Sequence, residues 1–219
     1  MFKLYRFLSF IAIPLIFFNI CWRIIQKKED KQRYKERFGK SSIQIPQNKI
    51  IWIHAASVGE FKSSHIIIET YYKKYSILVT TTTKSAAEYA SKYYAGKIIH
   101  QYAPFDVDIW VKRFIKYWKP QLVLWIESDL WPNTLSIIKK NKIQSLLINA
   151  RISPQSFNRW KRIANNYNEL LKTFSNVFAQ SREDLKRLQS LSNKKIEFIE
   201  NYLESINKKD FAKENQNIL

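Results

Sequence analysis

Apolar and polar residues follow one another along most of the chain in blocks that predict strands separated by helices. Five short apolar runs are typical of buried parallel strands: residues 50–53, 77–79, 97–102, 121–126 and 144–148. Four intervening stretches favour helices: residues 66–75, 84–94, the stretch after the turn at 103–106 through 117, and the stretch to about 141. This alternation predicts an α/β fold, with a Rossmann-like parallel sheet and flanking helices over residues 49–200.

The first 26 residues have a different pattern. Residues 7–22 carry no charge, slightly short of the roughly 20 residues that span a bilayer comfortably. A cleaved signal peptide would need a small-residue cleavage site, and a buried core helix would show a polar face, and neither is present. We therefore expect a membrane-anchor helix over residues 1–26. Its length leaves open whether the segment crosses the bilayer or lies partly embedded in it.

Residues 27–48 connect this anchor to the first strand. Residues 27–39 are charged and helix-prone, with Gly39 as a natural helix stop, and they predict a solvated basic juxtamembrane helix followed by a linker. Its lysines and arginines also attract anionic lipid head groups. Positive charge that follows a first hydrophobic segment tends to stay cytoplasmic. We expect the remainder of the chain on the cytoplasmic side of the cell inner membrane.

Composition narrows the function classes. The 219 residues include 37 Lys plus Arg against 18 Asp plus Glu, a formal net charge of +19 that favours anionic partners. Anionic inner-membrane lipids or a phosphorylated substrate fit this charge. Nucleic acid is not expected, because the sequence has no clustered arginine motif, zinc pattern or aromatic stacking signature. The single cysteine, Cys21, excludes an internal disulfide and a multi-cysteine metal site.

Polar residues cluster where four of the predicted strands end. The clusters are Ser57 with Glu60, residues 80–83, Glu127 with Asp129, and Asn149 with Arg151. The carboxyl ends of parallel strands meet at one edge of a sheet, so these clusters predict one polar crevice. Glu60 is a candidate general base there, although an acidic residue also favours a helix start. For Thr83 and Ser153 individually, capping a helix is the favoured role.

Several ordered motifs identify a family resemblance. They are Trp52-Ile-His-Ala-Ala-Ser-Val-Gly-Glu60, Val79-Thr-Thr-Thr-Thr83, Tyr102-Ala-Pro-Phe-Asp106, Glu127-Ser-Asp-Leu-Trp-Pro-Asn133 and Asn149-Ala-Arg-Ile-Ser153. In these motifs and the hydrophobic N-terminus, the chain resembles the Kdo transferases, which move 3-deoxy-D-manno-octulosonic acid from CMP-Kdo to lipid A precursors in lipopolysaccharide biosynthesis. The resemblance covers nearly all of the chain up to about residue 195.

The resemblance implies the N-terminal, acceptor-binding half of a GT-B glycosyltransferase. It implies Glu60 as the general base and Glu127 as a catalytic acidic residue that helps to hold the transition state. We expect the other polar residues of the crevice to bind the acceptor, the lipid A precursor lipid IVA. These are Ser57, Gly59, Thr82, Lys84, Asp129, Asn149 and Arg151. The resemblance implies no metal and no cofactor besides the donor substrate CMP-Kdo.

The chain also departs from the family pattern. Members are roughly twice as long, and their second half holds the CMP-binding residues. A family Gly-Asn-X-Lys stretch is expected near residues 199–204, which read Ile-Glu-Asn-Tyr-Leu-Glu, and the tail over 201–219 is polar. Two functions stay open. One is a glycosyltransferase that needs a separate C-terminal donor domain, and the other is a non-catalytic, membrane-attached acceptor-binding module or a degenerate remnant.

Overall fold

A parallel sheet organises residues 2–127 and 129–198, the part of the chain that the computed structural model describes. The sheet has the order β3-β2-β1-β4-β5-β6-β7. Its strands are β1 (Ile50–His54), β2 (Ser76–Thr81), β3 (Ile99–Tyr102), β4 (Leu122–Ile126), β5 (Gln144–Ala150), β6 (Asn176–Ala179) and β7 (Glu197–Phe198). The order reverses at β1, so β1 and β4 flank the switch point at which open α/β sheets bind their ligands.

Helices cover both faces of this sheet. Those of the sheet domain are α3 (Val58–Ser63), α4 (His65–Tyr71), α5 (Lys84–Tyr94), α6 (Asp108–Trp118), α7 (Pro132–Lys140), α8 (Pro154–Lys161), α9 (Ala164–Leu171) and α10 (Arg182–Leu191). Every residue of β1 is buried, because apolar clusters lie against both of its faces. Trp52 and Trp125 belong to one cluster, and Ile53 and Phe61 belong to the other.

The expected Rossmann-like sheet with flanking helices is confirmed, with some shifted boundaries. The helix expected at residues 66–75 is a pair, α3 and α4, and it begins earlier because Ser57 caps α3. The strand expected at 97–102 begins at Ile99. The three helices and two strands after residue 153 had not been predicted as individual elements.

The N-terminal segment forms two helices, α1 (Phe2–Ile11) and α2 (Ile13–Ile25). Among the described residues no single helix is long and apolar enough to cross a membrane. The α1–α2 pair, bent by 54°, meets that test by length and composition only. The single anchor helix that we expected is thus a bent pair, with Pro14 in the first turn of α2. Proline lacks the N–H that a continuous helix would use there.

One side of the α1–α2 pair packs on the sheet domain. Arg6 pairs with Asp108 at 3.0 Å, Phe17 stacks on Phe38 with ring centroids 4.7 Å apart, and Ile20 is buried. The other side remains apolar and exposed. The large apolar side chains there that are at least half exposed are Leu4, Phe7, Leu8, Phe10, Ile11, Leu15, Phe18, Trp22 and Ile25.

Residues 27–39 do not form the solvated helix that we expected. Turns lead into a short 3₁₀ helix over Tyr34–Phe38, which Gly39 ends in the left-handed conformation, so only the stop at Gly39 matches the prediction. A Cβ at Gly39 would collide with the carbonyl oxygen of Trp110. The segment packs against the sheet domain, where Arg37 donates to the carbonyl of Thr82 at 2.8 Å and Glu36 accepts the backbone N–H of Tyr102 at 2.7 Å. Within the segment, Glu29 and Arg37 pair with each other in a buried position. The departure expected at residues 199–204 and the polar tail lie outside the described residues.

Candidate active site

The turn between β1 and α3 fixes the position of Glu60. Ser57 is the N-cap residue of α3, and its hydroxyl accepts a hydrogen bond from the backbone N–H of Glu60 at 3.3 Å. The Glu60 carboxylate folds back over this turn, where its Oε2 accepts the backbone N–H of Ala56 at 2.6 Å. This reciprocal arrangement is a variant of the capping box, in which a serine and a glutamate satisfy the free N–H groups of a helix start.

Glu60 is half-buried, and burial is the main reason that its pKa is raised from 4.5 to about 7. The charges of Glu127 and Asp129 raise this pKa further, whereas the hydrogen bonds from Ala56 and Ser57 lower it. A carboxylate with a pKa near neutrality is a good proton acceptor, because it is partly ionised at working pH and still basic enough to take a proton.

Glu127 and Asp129 follow β4, on the other side of the switch point. Glu127 has φ 64°, in the left-handed region that a glutamate rarely adopts, and its N–H donates to the carbonyl of Ile148 at 3.0 Å. Burial and the charge of Asp129 raise the pKa of Glu127, and Arg151 opposes this rise. Because the charges of Glu127 and Asp129 both act on Glu60, the three predicted carboxylates lie in one electrostatic site.

The residues after β2 divide between the site and the helix that follows. Thr82 reaches Ala56, since both its backbone N–H and its hydroxyl donate to the Ala56 carbonyl, at 3.1 and 2.7 Å. Thr83 caps α5, as its sequence position favoured. Lys84 is exposed, and it lines a separate shallow depression together with Arg33 and with other residues of its own helix, α5.

The residues after β5 border the site from the other side. Asn149 has φ 58°, and the pairing of β5 with β6 shifts register between Leu147 and Ala150. Arg151 is exposed and close enough to Glu127 to affect its pKa. Ser153 caps α8 by accepting the N–H of Ser156 at 3.2 Å, which confirms the favoured reading of Ser153.

A cleft of about 410 Å³ lies between the loops after β4 and β5. Its lining residues are Glu127, Asp129, Leu130, Trp131, Arg151, Ile152, Ser153, Ser156, Arg159, Trp160 and Tyr167. The sequence reasoning missed Ser156, Arg159 and Trp160. Helical spacing groups these three residues, because positions i, i+3 and i+4 after the Ser153 cap share one face of α8, but it does not tell which part of the chain that face meets.

Two polar residues of the recognised motifs serve the fold. His54 is fully buried between the rings of Trp125 and Trp131, and burial lowers its pKa to about 3. Asp106 accepts hydrogen bonds from the backbone N–H groups of Asn133 and Thr134, at 3.0 and 2.7 Å, and so caps α7. His54 is therefore neutral, and neither side chain faces the cleft.

Within residues 2–127 and 129–198 no group of three or more His, Cys, Asp or Glu residues is arranged to hold a metal ion. The chemistry that the crevice itself offers is proton transfer by carboxylates beside a cleft with two arginines. Fold and crevice together define the class: an α/β domain consistent with one half of a GT-B glycosyltransferase.

Comparison with known proteins narrows this class. The family model described as 3-deoxy-D-manno-octulosonic-acid transferase (kdotransferase) matches residues 32–202. A 3-deoxy-D-manno-octulosonic acid transferase of Rickettsia bellii is 39% identical over 194 residues, which cover 87% of this chain and 46% of that protein. A probable mitochondrial enzyme of the same name from Arabidopsis thaliana is 38% identical, over 73% of this chain and 36% of that protein.

A third relative, the 3-deoxy-D-manno-octulosonic acid transferase of Haemophilus influenzae, is 30% identical and covers 85% of this chain and 45% of its own length. The chain belongs to the family of 3-deoxy-D-manno-octulosonic acid (Kdo) transferases. It spans about half the length, or less, of the curated relatives named here.

Proposed function

We propose that this chain is the acceptor-binding half of a Kdo transferase in which Glu60 acts as the general base. The carboxylate would take the proton of an acceptor hydroxyl as the hydroxyl attacks the anomeric carbon of Kdo. The observation that carries this role is the pKa of Glu60, raised to about 7 at the switch point of the sheet. A positioned base of this strength is what a sugar hydroxyl needs in order to become a nucleophile.

Glu127 completes the proposed catalytic pair. The transition state of sugar transfer carries positive charge on the ring, and an anionic side chain nearby stabilises it. Glu127 lines the cleft, and its charge acts on Glu60. Its backbone is in the left-handed region, a strained conformation of the kind that clusters at active sites. The leaving group, CMP, departs as an already charged phosphate, so the proposal needs no acid to protonate it.

The acceptor is proposed to be a lipid A precursor such as lipid IVA. Arg151 and Arg159 supply positive charge to the cleft, while Trp160 and Tyr167 offer aromatic surface for a sugar ring. Arginine binds phosphate in a planar, two-pronged geometry that suits the phosphorylated glucosamines of such an acceptor. We propose Ser57, Gly59, Thr82, Asp129 and Asn149 as the polar border of this acceptor site. Lys84 lies in another depression, and we propose that it contacts a phosphate of the acceptor farther from the cleft.

The donor is proposed to be CMP-Kdo. Its binding site is proposed to lie in a donor half, the part of the relatives that this chain does not match. The chain spans 46% of the Rickettsia bellii protein and 45% of the Haemophilus influenzae protein. We propose transfer by this half acting together with a C-terminal donor domain, and we propose no metal and no further cofactor.

Membrane attachment is proposed for the α1–α2 pair, on the cytoplasmic side of the inner membrane. Its exposed side carries Phe10, Leu15 and Phe18, which are between 62% and 72% exposed. Covering one such side chain with lipid contributes about 2 kcal/mol. Changing Leu15 and Phe18 to serine should therefore weaken flotation with anionic vesicles at least tenfold without changing the fold. Unchanged flotation would contradict this attachment.

Transfer from CMP-Kdo to lipid IVA in membranes tests the proposed function directly. The chain is assayed alone, with a family C-terminal domain, and in both forms with Glu60→Gln. We expect activity only with the added domain, and a loss of at least a hundredfold in the variant. Glu69→Gln is the matched control, because Glu69 pairs with Lys97 on the surface of α4, away from the site.

A non-catalytic acceptor-binding module is the second function that the same assay separates. The observation that favours it is the cleft itself, whose arginines and aromatic rings suit binding of the acceptor. Retained binding of lipid IVA, with no transfer in any combination, would replace the transferase proposal by this module. If Glu60→Gln kept both the transfer activity and its pH dependence, Glu60 would not be the base.

A further inference from the structure

A buried ion pair links the N-terminal helices to the sheet, and the catalytic proposal does not use it. Glu29 and Arg37 are only 5% and 4% exposed, and their side chains meet at 3.1 Å. On the outer side Glu29 accepts a hydrogen bond from Arg23, in the last turn of α2, at 3.3 Å. A buried pair of this kind is costly to desolvate and is weak evidence for stability.

The same guanidinium reaches the loop that follows β2. Arg37 Nη2 donates to the carbonyl oxygen of Thr82 at 2.8 Å. Thr82 in turn holds the carbonyl of Ala56 with its N–H and its hydroxyl, and the N–H of Ala56 donates to Glu60 at 2.6 Å. The backbone of Ala56 is therefore held on both sides, at its carbonyl oxygen by Thr82 and at its N–H by the Glu60 carboxylate.

We infer that Arg37 is a positioning residue that holds the Thr82 loop against Ala56, and thereby keeps the Ala56 amide on the Glu60 carboxylate. Arg37 touches neither the cleft nor Glu60, and it acts through the backbone of two residues, Thr82 and Ala56. This inference rests on the proposed role of Glu60 as the base. It extends that role, because the segment that joins α2 to the sheet then helps to fix the position of the Glu60 carboxylate.

The surroundings of Arg37 favour a fixed position. Its guanidinium lies over the ring of Tyr102 at 4.4 Å from the centroid. Arg33 pairs with Glu36 at 2.8 Å, and Glu36 accepts the backbone N–H of Tyr102 at 2.7 Å, so the neighbouring charges are also paired. The titratable groups that act on Arg37 are thus Glu29, Tyr102 and Arg23, and Arg37 itself acts on His100. The charges that act on Glu60 are those of Glu127 and Asp129.

The Ala56 amide proton can be observed directly, because the chain has two Ala–Ala pairs, Ala55–Ala56 and Ala86–Ala87. Labelling alanine carbonyls with ¹³C and alanine nitrogens with ¹⁵N selects only the amides of Ala56 and Ala87 in a carbonyl-edited NMR spectrum. Ala87 lies inside α5 and bonds to the carbonyl of Thr83, so it serves as an internal reference for folding.

The full chain in detergent micelles is titrated from pH 5 to pH 9. In the wild type the Ala56 proton should move downfield as Glu60 ionises, because a bond to a charged acceptor is stronger. This step should disappear in Glu60→Gln. In Arg37→Met we expect the step to lose at least half of its amplitude and its midpoint to rise by about one pH unit, since the ionised form loses a hydrogen-bond donor.

Matched variants separate positioning from general loosening. Arg113 donates to the carbonyl of Phe38 at 2.8 Å and so holds the same segment without reaching Thr82, and Arg113→Met should leave the Ala56 step unchanged. Arg37→Lys, which keeps the charge but lacks the two-pronged donor, should give an intermediate step. Thr82→Val, which removes one donor to the Ala56 carbonyl, should shift it in the same direction as Arg37→Met.

A wild-type step in Arg37→Met, with the Ala87 signal in its native place, would overturn the inference. If that variant does not fold, wild-type steps in both Arg37→Lys and Thr82→Val would overturn it instead. The absence of any step in the wild type would do the same, because Ala56 would then not be bonded to Glu60. None of these readouts involves sugar transfer, so a failure of the proposed function in the transfer assay remains a separate result.

Discussion

Replacing Glu60 by Gln should stabilise the chain at alkaline pH, even though it removes the proposed base. In the folded chain Glu60 keeps its proton up to a pKa of about 7, whereas in the unfolded chain the ordinary value is 4.5. Between these values the folded state binds more protons, so the free energy of unfolding falls as pH rises through this window. A neutral Gln at the same place is free of this penalty and can still accept the Ala56 N–H.

The size of the effect follows from the same two values. At 1.36 kcal/mol per pH unit, ionising Glu60 in the folded state costs at most about 3.4 kcal/mol, of which about 2.5 kcal/mol falls between pH 5 and pH 8. Glu60 is only half-buried, and screening by solvent halves the expected gain, to about 1.3 kcal/mol. Glu60→Gln should therefore gain about this much stability, relative to the wild type, between the two pH values.

Urea unfolding followed by tryptophan fluorescence, in detergent micelles at pH 5 and pH 8, measures this difference. Glu169→Gln is the control, because Glu169 is exposed and Lys172 lowers its pKa, so its ionisation does not change between these pH values. The same stability difference between Glu60→Gln and the wild type at both pH values would refute the raised pKa, and with it the main argument for Glu60 as the base.

Two further predictions concern stability. Gly39→Ala should destabilise the chain by more than about 2 kcal/mol in urea unfolding, because Gly39 has φ 70° and its new Cβ would meet the Trp110 carbonyl. Gly96→Ala, where φ is 78° but the space is open, should cost only about 1 kcal/mol. Equal costs would contradict the close packing of residues 27–39. Asp106→Ala should lower the free energy of unfolding by about 2–4 kcal/mol, because it leaves two buried N–H groups at the start of α7 without an acceptor. Asp106→Asn should recover part of this stability in the same assay. A loss below about 1 kcal/mol in Asp106→Ala would mean that water replaces the cap.

The sequence predicted the sheet well because its signals are local. Continuous apolar runs such as residues 121–126 have few alternatives to a buried strand, and a polar residue directly after such a run falls at the carboxyl edge. This is why the sequence alone assigns Glu60 and Glu127 to one crevice. The family motifs added their proposed roles and nothing about their geometry.

The missed features depend on contacts between distant residues. Arg159 and Trp160 reach the cleft only because α8 folds back beside the loop after β4, and nothing local to residues 159–160 records that approach. Residues 27–39 were misjudged for a related reason. A run of charges normally predicts a solvated surface, and only the partner, Glu29 beside Arg37, makes burial of the segment affordable.

The two roles that the sequence offered for Glu60, helix start and base, do not exclude each other. A carboxylate has two oxygens, and in this site they are used differently. Oε2 is fixed by the Ala56 N–H at 2.6 Å, whereas Oε1 accepts, within the part of the chain that the structure describes, just the hydroxyl of Ser57 at 3.3 Å. The bond that caps the helix therefore orients the side chain through Oε2, and Oε1 is the oxygen proposed to take the proton. Since the Ala56 bond also lowers a pKa that burial raises, the cap sets how strong the base is as well as where it points.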